Sequence, residues 1–245
     1  MHRRTFFSVA AAACAFGVTD TMAQTRTSNP PRRVLFVGNS LTYSQGGIYT
    51  HFERMAAAAN PPLKVETDNA VAGGQYFKTL WEEHPHVRQA IAKGHAVVVL
   101  QEDLPETTVA DFREYARRFV PEIRKTGARP VLLMAWAYKR LGWISMAQIA
   151  QEHREAGREL NVDVAPVGLA WERFVQQRPD LDLFARDREH PSMYGTYLAT
   201  AVVYATVFGT NPTDIGYVPR GVSAEDGRFL RRVAWETVQE YQKSR

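Results

Sequence analysis

A serine at the end of an apolar run, and a histidine three residues after an aspartate, are the residue types from which an activated hydroxyl nucleophile is built. Ser40 stands in Gly38-Asn39-Ser40-Leu41, directly after Val34-Leu35-Phe36-Val37. A strand that ends there delivers the hydroxyl to a strand-to-helix turn, and ligands of open α/β sheets bind outside the carboxyl ends of the strands. Far along the chain comes Asp187-Arg188-Glu189-His190-Pro191-Ser192, an acid and a histidine in a loop broken by Pro191. Such a pair supplies the base and the orienter that a serine needs. Each half has a plain structural reading when taken alone: Ser40 as a helix N-cap, Asp187 and His190 as a surface pair before a helix. Their combination points to nucleophilic catalysis.

The elements that must position these residues follow from periodicity. Apolar runs at Val34 to Val37, Lys64 to Ala70, Ala96 to Leu100, Pro130 to Ala135 and Val162 to Val167 read as strands. Between and after them, Tyr49 to Ala59, part of Phe77 to Lys93, Val109 to Lys125, Met146 to Leu160, Ser192 to Phe208 and Ala224 to Gln242 read as helices. Phe112, Tyr115, Phe119 and Ile123 recur every three or four residues, one apolar stripe for packing on a sheet, and Gly127 is the expected terminator of that helix. Five short apolar strands alternating with helices predict a parallel sheet covered on both faces, an α/β fold of the three-layer α/β/α sandwich type.

Composition narrows the partners. The chain has 245 residues, 45% of them hydrophobic, enough for a large core in one domain. A basic start at His2-Arg3-Arg4, an apolar stretch from Thr5 to Val18 and the small-residue pattern Thr21-Met22-Ala23 predict an export signal over residues 1–23, of general or twin-arginine type. The apolar stretch is shorter than the ~20 residues that span a bilayer, so no membrane anchor is expected after cleavage, and the protein is expected in the periplasm or outside the cell. Residues 24–32 read as a polar linker and 33–245 as the catalytic domain. The single cysteine, Cys14, lies inside the signal, and lipid attachment there is disfavoured because Ala11 stands where a larger aliphatic residue is expected. A net charge of +4 with scattered basic residues argues against a nucleic-acid partner.

On these motifs the chain resembles the SGNH hydrolase superfamily, the GDSL-like esterases, over about Arg33 to Pro212. Four blocks stand in family order: Ser40 in Gly38-Asn39-Ser40-Leu41, a glycine after the second strand in Ala72-Gly73-Gly74, an amide after the third strand at Gln101, and Asp187 to His190. The resemblance implies a flavodoxin-like order for the five parallel strands, Ser40 as nucleophile, His190 as general base and Asp187 as its orienter. It also implies an oxyanion hole formed by the backbone N–H groups of Ser40 and Gly74 and the side chain of Gln101. Two positions depart from the family: Asn39 replaces aspartate and Gln101 replaces asparagine. Gln101 carries its amide one methylene further out, so the strand end must be set back for it to serve, and Glu102 and Asp103 are the alternative polar groups there.

Gly73, Glu102, Trp136 and Tyr138 are further candidates for substrate contact, since Trp136 to Trp143 follows the fourth strand and aromatic faces stack on sugar rings. Core packing is the competing reading for the tryptophans. His84 and His86 have no third ligand at a useful spacing, so neither a metal nor another cofactor is expected. The expected activity is hydrolysis of a carboxylic ester through an acyl-enzyme, first of all a short-acyl, acetyl ester of a carbohydrate. A lipid or thioester hydrolase and a non-catalytic glycan-binding protein are the alternatives.

Overall fold

Alternate residues of the first strand go into two different cores, and this splits the molecule into layers. In β1 (Arg33–Gly38), Val34 and Phe36 join one buried cluster while Leu35 and Val37 join the other. A strand that buries both faces needs helices on both sides. The computed structural model describes residues 32–138 and 140–244, together with Met1. The sheet continues with β2 (Glu66–Val71), β3 (Val97–Glu102), β4 (Arg129–Met134) and β5 (Asp163–Ala165), in the order β2-β1-β3-β4-β5, every pairing parallel. This is the expected three-layer α/β/α sandwich. The expected signal, the linker up to Pro31 and Cys14 lie outside the described residues.

One outer layer holds α2 (Ile48–Ala57), α7 (Val167–Gln177), α8 (Met193–Phe208) and α9 (Ala224–Lys243). The other holds α3 (Phe77–Glu82), α4 (Pro85–Ile91), α5 (Val109–Lys125) and α6 (Met146–Glu159). A four-residue helix, α1 (Ser40–Tyr43), follows β1 directly. Every residue of α8 from Gly195 to Val207 is buried, so this helix is apolar all round and forms the centre of its layer. Its N-cap is Ser192, two residues after His190, so the most deeply embedded helix of the molecule anchors the histidine loop. Among the described residues no helix is long and apolar enough to cross a membrane.

Three elements differ from the sequence reading. The run Val162 to Val167 splits into a three-residue β5 and the start of α7, a helix that the pattern did not announce. Val167, Ala170, Trp171 and Phe174 are its buried stripe, at helical spacing, but the first of them extends the apolar run of the strand. The second strand starts later, at Glu66, and is half-exposed because it is the sheet edge. The segment Phe77 to Lys93 is two helices, because Pro85 lacks the N–H that would continue the first and takes the first position of the second.

Candidate active site

Ser40 and His190, 150 residues apart in the chain, meet at the carboxyl edge of the sheet with Ser40 Oγ 2.8 Å from His190 Nε2. His190 Nδ1 is 2.9 Å from Asp187 Oδ2. A carboxylate accepts only, so Nδ1 carries the proton and Nε2 presents its lone pair to the serine hydroxyl. Asp187 Oδ1 also accepts the backbone N–H groups of Glu189 at 3.0 Å and His190 at 2.9 Å. These bonds, led by the Glu189 N–H, hold the Asp187 carboxyl below its ordinary value and keep it ionised. The side chains of Asp187 and His190 are 51% and 31% exposed, which makes the relay open to solvent rather than enclosed.

The histidine loop is a small hairpin. Phe184 and Pro191 form an isolated antiparallel bridge, Ala185 N–H donates to His190 O, and Ser192 N–H donates to Leu183 O, both at 2.8 Å. Arg188 takes a left-handed φ of +64° at its turn. An aromatic stack supports it from below: Trp136 lies on Trp171 with ring centroids 4.1 Å apart, and Trp171 meets Phe184 edge-on. Trp136 is 1% exposed and donates its indole N–H to Glu189 O at 3.0 Å. It therefore supports the histidine loop from the core and has no face left for a substrate, a correction to its candidacy as a substrate contact.

The last two residues of β3 and Asp103, which follows it, each clasp a different loop. Gln101 Oε1 accepts the Asn39 N–H at 3.0 Å and the Thr42 hydroxyl at 2.9 Å, while its Nε2 is buried with no partner. The structure thus brings Gln101 to the underside of the nucleophile turn, with its carboxamide sealed from solvent. Glu102, 1% exposed, accepts the Phe77 N–H through Oε2 and so anchors the start of α3. Burial raises its carboxyl well above the usual range, against the pull of the Phe77 N–H. Asp103 accepts from Asn39 Nδ2 at 2.7 Å and from the Tyr138 hydroxyl at 2.6 Å. Burial pushes the Asp103 carboxyl up to about 6, although both donors act the other way. Glu102 and Tyr138, expected at the substrate surface, are instead buried: Glu102, at the end of β3, is turned to the start of α3, and Tyr138, in the loop after β4, is turned to Asp103.

Asn39 joins these parts. Its Oδ1 accepts the Leu41 N–H at 3.0 Å, capping α1, and its Nδ2 donates to Gln75 O at 2.9 Å. The second bond, with Ala72 N–H on Gly38 O, ties the Gly73-Gly74-Gln75 loop to the nucleophile turn. Gly74 has φ +67° and nothing within 4 Å of where a Cβ would stand, whereas a Cβ on Gly73 would come 2.6 Å from the Tyr43 hydroxyl. Ser40 N–H, at the first position of α1, has no intrahelical partner. Asp103 carried the least signal in the sequence, since a buried acid is recognised by its tertiary neighbours. Among the described residues no three or more His, Cys, Asp or Glu are grouped as metal ligands would be, and His84 and His86 pack edge-on against each other.

No protein-family model and no curated protein matches the chain. Solved structures do. A DUF4886 family protein from Bacteroides uniformis aligns with a TM-score of 0.67 at 16% identity, over 85% of this chain and 95% of that one. A protein from Slackia heliotrinireducens proposed to be an SGNH hydrolase aligns at 0.60 and 23% identity, over 71% and 98%. Axe2, an acetylxylan esterase from Geobacillus stearothermophilus, aligns at 0.58 and 18%, over 73% and 95%. The fold of this chain is that of the SGNH hydrolases.

Proposed function

We propose that this protein is a serine hydrolase that cleaves carboxylic esters, with short-acyl, acetyl esters of a carbohydrate as its substrates. The observation that carries the reading is the unbroken relay Ser40 Oγ–His190 Nε2 and His190 Nδ1–Asp187 Oδ2. His190 takes the hydroxyl proton as Ser40 attacks the ester carbonyl, and Asp187 fixes the tautomer and offsets the imidazolium charge. The N–H groups of Ser40 and Gly74 receive the oxyanion. Collapse breaks the ester C–O bond as His190 protonates the leaving alcohol. Water, deprotonated by His190, then releases the acid and regenerates the serine.

The acetyl-sugar part draws on the open relay, on the acetylxylan esterase among the structures of this fold, and on two exposed aromatics, one at the end of α1 and one in the loop after β4. Tyr43 and Trp143 are 39% and 52% exposed, and Trp143 is fixed in place by its N–H on Pro105 O at 2.7 Å. Export, read from residues 1–23, fits a substrate too large to enter a cell. The test is turnover of 4-nitrophenyl acetate against longer acyl chains and release of acetate from acetylated xylooligosaccharides, with fluorophosphonate labelling located by mass spectrometry. The reading expects labelling at Ser40, loss of turnover in Ser40→Ala and a maximum at two carbons. A maximum at eight or more carbons overturns the acetyl assignment, and turnover untouched in Ser40→Ala overturns the nucleophile.

A further inference from the structure

We propose that Asp103 is a positioning residue for this hydrolysis: its carboxylate, clamped between Asn39 and Tyr138, holds the nucleophile turn against the loop that follows β4. The inference rests on the ester-hydrolase reading and adds a residue that touches neither substrate nor the relay. Each oxygen of Asp103 has one donor, the Asn39 carboxamide on Oδ2 and the Tyr138 hydroxyl on Oδ1. Only the ionised form accepts from both at once without a proton standing between partners. The two hydrogens of Asn39 Nδ2 go to Asp103 and to Gln75 O, and its Oδ1 takes the Leu41 N–H next to Ser40. One carboxylate therefore fixes the side chain that joins the nucleophile turn to the glycine loop.

This also accounts for asparagine at position 39. An aspartate there would set a second carboxylate within 3 Å of Asp103, in a site where both are buried, and one of the two would have to stay protonated. The groups facing Asp103 are otherwise acidic or neutral: Glu102 beside it on β3, Glu106 in the short 3₁₀ turn that follows, Glu189 in the histidine hairpin and Tyr138. Arg140, on the loop after β4, is engaged with Glu106 and Glu189, and among the described residues no cation bonds to Asp103. Protonation of Asp103 in mildly acid solution removes one clasp from Asn39, so the geometry of Ser40 is coupled to a second proton besides that on His190.

The experiment compares wild type with Asp103→Asn and Tyr138→Phe by steady-state ester hydrolysis across pH and by the rate of fluorophosphonate labelling. Asp103→Asn copies the protonated acid in shape. It is expected to lower kcat about 10- to 100-fold with KM within about twofold, and to reduce the acid limb of kcat/KM from a slope near 2 to a slope near 1. Tyr138→Phe leaves the ring in place and removes a donor to the carboxylate, so the acid limb moves to higher pH in the wild-type background and stays put in the Asp103→Asn background. A wild-type limb in Asp103→Asn, or an equal movement of the limb in both backgrounds, overturns the inference; if Asp103→Asn does not fold, a Tyr138→Phe limb that does not move overturns it alone. Wild type that neither turns over esters nor labels at Ser40 overturns the ester reading and this inference together, which distinguishes the two failures.

Discussion

Trp136 donates its indole N–H to the carbonyl of Glu189, the residue before His190, across 3.0 Å. A core side chain thereby holds the loop that carries His190, the candidate base, at its height over the sheet. Trp136→Phe keeps an aromatic ring on Trp171 but deletes the donor and leaves a partly buried carbonyl unpaired, at roughly 1 to 3 kcal/mol. The expected result is a kcat lowered several-fold with KM unchanged, together with earlier urea unfolding. Steady-state kinetics and a denaturation curve check both.

Gly38 and Gly74 flank the candidate oxyanion site and respond to substitution for opposite reasons. A Cβ on Gly38 would stand 2.5 Å from Gln101 Oε1 and 2.6 Å from Thr42 Oγ1, inside the brace of the nucleophile turn. Gly38→Ala must push Gln101 away, so turnover is expected to fall by more than about 100-fold, with stability reduced by roughly 1 to 3 kcal/mol. Gly74 has no atom within 4 Å of such a Cβ, only a left-handed φ of +67°. Gly74→Ala therefore costs about 1 to 2 kcal/mol of backbone strain, and its methyl takes up space open to a substrate, which should raise KM more than it lowers kcat. Thermal unfolding together with kcat and KM for the two variants separates the effects.

The parts of this site that were legible in the sequence are those whose signal is local. Ser40 at the end of an apolar run and Asp187 three residues before His190 carry their meaning within six residues, and the alternation of strands and helices placed them on one edge. Trp136 and Tyr138 were not legible in the same way. Their position after β4 put them at the right edge, but which way each ring turns is decided by Trp171, Glu189 and Asp103, all distant in the chain. Gln101 was expected to reach the oxyanion. The demand of the Asn39 N–H and the Thr42 hydroxyl for an acceptor turns its carbonyl oxygen to the turn instead. The helix α7 was hidden because its first apolar residue, Val167, extends the run of β5.

Asp187 both orients His190 and ties its own loop through two backbone N–H groups. Asp187→Asn retains an acceptor for the loop but offers an NH₂ group to the imidazole if its oxygen stays with the backbone. The favoured tautomer then places the ring proton on Nε2, facing Ser40, where a lone pair is needed. By analogy with the aspartate-to-asparagine change in serine protease triads, kcat is expected to fall roughly 10³- to 10⁴-fold, with folding little changed. An effect below about tenfold would show that solvent reaching this half-exposed pair does the orienting in place of the carboxylate.

Asp103 predicts a pH dependence of stability whose sign is opposite to that of the buried histidine. His153, held down to about 4 by burial, is charged in the unfolded chain before it is charged in the folded one, so it removes stability as pH falls from 6.5 towards 4. Asp103 is raised from 3.8 to about 6, so the folded protein binds the extra proton between those values, and stability is lost as pH rises through them. At about 1.4 kcal/mol per pH unit this amounts to roughly 3 kcal/mol at neutral pH. Asp103→Asn has no such proton to lose. Its unfolding free energy relative to wild type should therefore rise between pH 4 and pH 7 by up to that amount, even though its turnover is lower. Urea unfolding of both proteins at four or five pH values measures the difference directly. A difference that stays flat with pH would mean that Asp103 ionises in the folded protein as it does in the unfolded chain, and that the two donors compensate fully for its burial.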